Sequence, residues 1–223
     1  MYARLMTILG CCLICQGVGA TPQIPDILFD QDKEHVLDHS PMEQYFAVHP
    51  ERRPNAEIRS PSLKRGYLAF FEIRDDELVL RDIKVQGVRE TQPKKYSTIW
   101  TSVLASITPD GAPLKIHWFS GLLVLPQGSI VNYVDTEKYG ARYTQFRILE
   151  VHNGRVTQRR NFTGAEYDAF KTRQFEAYRQ TRAYSKQRSR MVKDGHPQGD
   201  IDATIKASIM THITRFLDTA PQR

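Results

Sequence analysis

The chain has 223 residues, of which 40% are hydrophobic and 25% charged, and its formal charge is +6. That length can bury a sizeable core, so the fold needs no disulfide or metal staple. The modest positive balance suits an acidic protein, a membrane surface or an anionic glycan without selecting among them, and no nucleic-acid motif accompanies it.

Residues 1–20 read as a secretory signal peptide. Arg4 is followed by an apolar run through Leu5, Met6, Ile8, Leu9, Leu13, Ile14 and Val18, and Val18-Gly19-Ala20 supplies the small side chains that precede a cleavage point before Thr21. An uncleaved anchor is one alternative. Lipidation at Cys11, within Ile8-Leu9-Gly10-Cys11, is another, although the apolar core before it is short. No later run reaches the roughly 18 apolar residues of a membrane span. Cys11, Cys12 and Cys15 all lie in this segment, so a processed chain is cysteine-free, and the Cys12–Cys15 spacing offers it no redox or metal chemistry. Processing removes Arg4 alone among the Lys, Arg, Asp and Glu side chains and lowers the charge to +5. The expected location is periplasmic or secreted.

Thr21 to Phe29, with Pro22 and Pro25, reads as extended. Asp30 to Pro41 is charged; a helix there would bring His35 and His39 together with Asp32, Glu34 and Asp38 nearby, a weak metal-ligand pattern without a His-Glu-x-x-His arrangement. Met42, Tyr45 and Phe46 suit a short helical turn facing the core. His49 to Pro61 mixes prolines with Arg52, Arg53 and Arg59 and reads as a surface loop whose arginines either meet an anion or pair with neighbouring acids.

Lys64 to Val134 predicts the central sheet. Tyr67–Ile73 and Leu78–Val85 flank the charged turn Arg74-Asp75-Asp76-Glu77, the pattern of an antiparallel hairpin. In the second arm Leu78 and Leu80 share one face whereas Ile83 and Val85 share the other, so the apolar side changes midway and the register is ambiguous. Gly87 to Lys95 reads as a polar connection, Tyr96 to Ile107 as a strand, and Pro109-Asp110-Gly111 as a turn. Leu114, Ile116 and Trp118 alternate with polar neighbours; Gly121 marks a bend, and Pro126-Gln127-Gly128 a turn into Ser129–Val134. His117 and Trp118 would point to opposite strand faces, and Ser120-Gly121 is not a nucleophile elbow, so a packed tryptophan beside an exposed histidine is the expected arrangement.

Arg65-Gly66-Tyr67, Glu72-Ile73, Leu80-Arg81-Asp82-Ile83, Trp118-Phe119-Ser120-Gly121 and Pro126-Gln127-Gly128 together resemble the core pattern of a family of small, uncharacterised bacterial proteins, over about residues 28 to 180. The resemblance implies a bacterial single-domain unit and carries no established activity.

Arg142–Val151 and Val156–Phe162 flank Asn153-Gly154, the strongest hairpin signal in the chain. Thr163 and Glu166 have capping-box spacing and open a predicted helix over about 164–188. Lys171 to Lys193 holds eight basic residues and a single acid, Glu176. Within it Arg173, Arg179, Arg182 and Lys186 are the candidate partner-binding residues. Ile205, Ile209, Ile213 and Phe216 predict a second amphipathic helix over about 201–217, capped by Asp200 or Asp202.

The expected architecture is one exported α+β domain over residues 21–223, an antiparallel, curled sheet over about 65–162 with two C-terminal helices. No cofactor or metal site is expected. A non-catalytic binding or inhibitory protein of the bacterial envelope, immunity-like, is the leading function. One alternative is an envelope glycan or peptidoglycan hydrolase drawing on Glu72, Asp82 and Glu150, which would have to face one cleft. The other is a structural envelope component.

Overall fold

A computed structural model describes residues 23–31, 33–37, 39–108, 111–133 and 141–218. The signal segment with its cysteines, Asp32, Asp38, Pro109-Asp110, Val134 and the Pro221–Arg223 tail lie outside them.

Among the described residues nine strands form one sheet: β1 (Asp26–Asp30), β2 (Lys33–Leu37), β3 (Leu68–Arg74), β4 (Glu77–Gln92), β5 (Lys95–Ser102), β6 (Leu114–Lys115), β7 (Gly121–Tyr133), β8 (Ala141–His152) and β9 (Arg155–Thr163). The five α-helices among the described residues are α1 (Pro41–Val48), α2 (Leu104–Ile107), α3 (Gly164–Arg179), α4 (Arg182–Lys193) and α5 (Ile201–Ala207). The main path runs β2-β1-β3-β4-β9-β8-β7, with β5 and β6 both pairing along β4.

This architecture corrects the expected α+β class in three respects. The sheet is mixed, because β1 pairs parallel to β3. It is open rather than curled: β2 and β7 end the path without a ladder between them among the described residues, although His35 Nδ1 meets the Pro126 carbonyl oxygen at 3.3 Å. Three C-terminal helices follow it, not two. Thr181 starts α4 by accepting a hydrogen bond from the Tyr184 N–H on its own side chain (3.2 Å), dividing the long predicted helix. The last predicted helix shortens to α5 and a 3-10 turn at Ile209–Thr211. Its stripe nevertheless holds, since Ile205, Ile209, Ile213 and Phe216 are all buried together.

The first hairpin closes through Asp75 and Asp76 at positive φ, and a bulge resolves its divided pattern. Phe70 lies opposite Asp82 but Phe71 opposite Leu80, which leaves Arg81 as the extra residue. Inserting one residue inverts the side-chain phase, so Leu78, Leu80, Ile83 and Val85 all enter the same core. The stretch from Gly87 onward is strand rather than connection, because β4 continues to Gln92 against β5. Pro126 likewise lies within β7, opposite Phe146. Proline is tolerated there because β7 is an edge strand.

Two apolar clusters occupy the faces of the sheet. One gathers Met42 and Phe46 of α1 with Leu28, Tyr67, Phe71, Leu123 and Leu149. The other packs Leu122, Val124 and Ile148 beneath Phe170, Phe175, Ile205 and Phe216. Strands β7 and β8 therefore contribute alternate residues to both faces, the pattern of a covered sheet.

Thr163 caps α3 reciprocally: its hydroxyl accepts from the Glu166 N–H at 3.3 Å, and its own N–H donates to Glu166 Oε2 at 2.8 Å. Thr163→Ala should cost about 1 kcal/mol, read as a fall in the urea midpoint at unchanged slope. An unchanged midpoint would show that packing alone holds the start of α3.

Candidate functional site

The capping residue Thr181 lets the chain turn after α3 and lay α4 beside α5 with its own amphipathic face. Tyr184, Gln187 and Met191 project inward. Tyr184 donates its hydroxyl to Asp202 (2.7 Å), and Tyr178 of α3 donates to Gln187 Oε1 (3.2 Å). His212 stacks on Tyr178, and its Nε2 lies 3.2 Å from the Gln187 amide nitrogen and 3.0 Å from Ser208 Oγ. Burial holds the His212 imidazole below its usual pKa. A neutral ring with Nε2 as acceptor suits the Gln187 amide, while the Ser208 hydroxyl donates to the Thr204 carbonyl (2.9 Å).

At 100° per residue, Arg182, Lys186, Arg190 and Lys193 fall within about 80° of one another on the opposite face. All four are exposed, and none makes an ion pair among the described residues. Arg182, Lys186 and Arg190 repeat at intervals of four, a like-charge spacing that weakens an isolated helix by a few tenths of a kcal/mol per pair. Helix α4 contains no acid, Asp194 standing just beyond it at the C-cap. The face thus concentrates positive charge at some expense to its own helix.

The four sequence candidates divide between the two helices. Arg173 and Arg179 belong to α3 and have acidic neighbours: Arg173 lies 3.9 Å from Asp218, and Arg179 lies 3.2 Å from Glu176 and 3.8 Å from Asp202. Arg182 and Lys186 open the α4 face. Arg190 and Lys193 extend it, and their spacing from Arg182 is readable once the chain is broken at Thr181.

The candidate acids have separate partners, and of the three only Glu150 lines the cleft formed with His152 and Arg215. Glu72 pairs with Arg74 on β3. Asp82 accepts from the Ser102 hydroxyl (2.6 Å) and the Ile83 N–H (2.8 Å). Glu150 is under the C-terminal segment, where its oxygens accept from the Phe216 N–H (2.6 Å) and the Thr157 hydroxyl (3.1 Å). The cleft beside Glu150 is lined by His152, Thr157, Gln158, Thr214 and Arg215, and so contains one carboxylate rather than a pair.

Most of the remaining polar candidates have structural partners. His117 is exposed, while Trp118 stacks against Tyr45 and donates its indole N–H to the Pro41 carbonyl (2.9 Å). Ser120 Oγ accepts the Asn153 N–H (2.9 Å) and so anchors a turn. His35 lies in β2 rather than on a helix, and burial lowers its pKa. No cluster of metal-ligating side chains occurs among the described residues. Arg52 donates to the Ile107 carbonyl (3.1 Å), and Arg53 grips both oxygens of Glu43 (3.0 and 2.8 Å).

The most buried carboxylate, Asp26, links β1 to the segments that precede α1 and β3. Arg65 donates to Asp26 Oδ2 (2.7 Å), the Ile24 carbonyl (2.8 Å) and Ser40, while Asp26 Oδ1 accepts the Ala69 N–H (3.0 Å). Burial pushes the Asp26 carboxyl up to about 6 against the pull of Arg65. Tyr67 donates to Glu43 (2.7 Å), whose pKa the Arg53 and Tyr67 contacts lower against the effect of burial. This network is satisfied by its own partners, whereas the outward face of α4 presents a row of exposed cations without ion pairs among the described residues.

No helix among the described residues is long and apolar enough to cross a membrane. No protein-family model, curated protein or solved structure matches the chain, so the resemblance drawn from its short motifs supplies no site residue.

Proposed function

We propose that the protein is a non-catalytic binding protein of the bacterial envelope that engages an acidic protein surface through the outward face of α4. The supporting observation is the row Arg182, Lys186, Arg190 and Lys193, exposed and without ion pairs among the described residues. Charges presented in this way steer encounter and set specificity, and their effect weakens with salt. An inhibitory or immunity-like role follows if the acidic surface belongs to an envelope toxin or enzyme.

The test is capture by residues 21–223 from envelope extracts, identification of the retained protein by mass spectrometry, and titration of the purified pair at several salt concentrations. Reversing Arg182, Lys186, Arg190 and Lys193 to glutamate should weaken that pair by roughly 100-fold at low salt, with the circular dichroism spectrum preserved. The same reversal at Arg173 and Arg179 should have a smaller effect. Equal affinity for the fourfold variant and the parent would overturn the assignment, as would retention only on lipid or glycan.

A further inference from the structure

Beyond Val85, β4 and β5 form an arm with most of its side chains exposed. Its two edges differ. Along β4 the loop before β3 covers the edge: Ile58 N–H donates to the Gln86 carbonyl (3.3 Å), and Glu57 Oε2 accepts the Val88 N–H (3.2 Å). Along β5 no strand pairs on the outer side among the described residues.

The hydrogen-bond phase identifies which β5 groups face outward. Val103 N–H donates to the Ile83 carbonyl (2.8 Å), so the wide pairs alternate with it along the ladder and include Gly87–Ile99 and Arg89–Ser97. Tyr96, Thr98 and Trp100 sit in the intervening narrow pairs, and their backbone N–H and C=O groups point away from β4. Their side chains share one face with Val88. Val88, Tyr96 and Trp100 are 49%, 65% and 40% exposed, three of the six large hydrophobic residues most exposed among those described.

Edges of this kind are ordinarily blunted by an inward charge, a proline or a bulge. Between Tyr96 and Ser102 the strand has no charge and no proline, and its register shift lies near the tip, between Glu90 and Gln92.

We propose that β5 is a homodimer interface, pairing antiparallel with β5 of a second copy about a two-fold axis at Thr98. That register places Thr98 opposite its own mate and Tyr96 opposite Trp100 on both sides of the axis. It joins the outward groups of all three residues in about six inter-chain hydrogen bonds. Aromatic pairs and Thr–Thr pairs are favourable cross-strand neighbours. Lys95 falls opposite Thr101, so no like charges meet. An unrelated extended peptide would satisfy the same backbone groups without matching the aromatics in both halves, and the strand's self-complementarity therefore selects a second copy. The interface is independent of the α4 reading.

The experiment uses residues 21–223, which contain no native cysteine. Sedimentation should show a dimer at micromolar concentration, and Thr98→Cys should form an inter-chain disulfide under mild oxidation. Lys95→Cys should not, since its mate lies several residues along the opposing strand. Thr98→Pro removes only an outward N–H and leaves the β4 ladder intact, so it should yield a folded monomer, the dimer being weakened at least about tenfold. A parent that remains monomeric at 100 µM would overturn the proposal, as would cross-linking of Lys95→Cys as efficient as that of Thr98→Cys, or a Thr98→Pro dimer of undiminished strength.

Discussion

Replacing Gly154 with alanine should cost about 3 kcal/mol or more, because two separate penalties meet at one residue. Gly154 has φ +78°, a region that disfavours a β-carbon. A β-carbon placed there would overlap the carbonyl oxygen of Ile116 and lie 2.7 Å from its carbonyl carbon, and a backbone obstacle has no rotamer to escape into. The turn also holds the sheet together. Gly154 donates to the Phe119 carbonyl (2.8 Å), accepts from the Leu78 N–H (2.7 Å), and precedes Arg155, whose pairing with Glu77 joins β4 to β9. The melting temperature should therefore fall by about 10 °C. Gly195→Ala separates the contributions: its φ is +85° with nothing within 4 Å of the added carbon, so it bears backbone strain alone and should cost about 1 kcal/mol. Equal losses for the two variants would refute a steric role for Ile116.

Arg65→Met should destabilise by about 3 to 5 kcal/mol near pH 8, since it leaves the buried Asp26 carboxylate without its cation. Asp26 is fully buried, and Arg65 also stacks over the Tyr67 ring at 5.3 Å. The pH dependence separates charge from lost packing. Burial already places the Asp26 pKa at about 6, above its ordinary 3.8, and loss of Arg65 moves it further up. A carboxyl raised in the folded state contributes its full stability below about pH 4, and that contribution is lost as pH rises through the folded-state pKa. In the variant the loss continues to higher pH than in the parent. The deficit should consequently be largest above neutrality and shrink at pH 5, where the protonated acid needs no cation. Urea unfolding of both proteins at pH 5 and 8 measures this, and a deficit independent of pH would assign it to packing instead.

Acid should act oppositely on the docking of α4. The His212 pKa is held below its usual value, so the stability this contact lends is present above the ordinary imidazole range and is lost as pH falls through the lowered pKa. Protonation would take away the acceptor that faces the Gln187 amide. Hydrogen exchange along α4 at pH 5 and 7.5 should show faster opening in acid.

Local chemistry made much of the chain readable before its tertiary structure. Asn153-Gly154 specifies a turn because both residues accept positive φ, Thr163 and Glu166 specify a helix start through reciprocal hydrogen bonds, and Ile205, Ile209, Ile213 and Phe216 specify a buried stripe through spacing alone. The divided pattern in Leu78–Val85 is consistent with one extra residue between Leu80 and Ile83, and only the ladder against β3 assigns that residue to Arg81. What local patterns do not encode is which distant segment completes a ladder. The parallel pairing of β1 with β3 depends on burying Asp26 against Arg65, 39 residues away, and the open path depends on the pairing of Glu77 with Arg155 between β4 and β9. The charged face was half legible for the same reason. Composition marks Lys171–Lys193 as basic, but only the break at Thr181, together with the positions of Glu176, Asp202 and Asp218, distinguishes the paired arginines of α3 from the exposed row on α4.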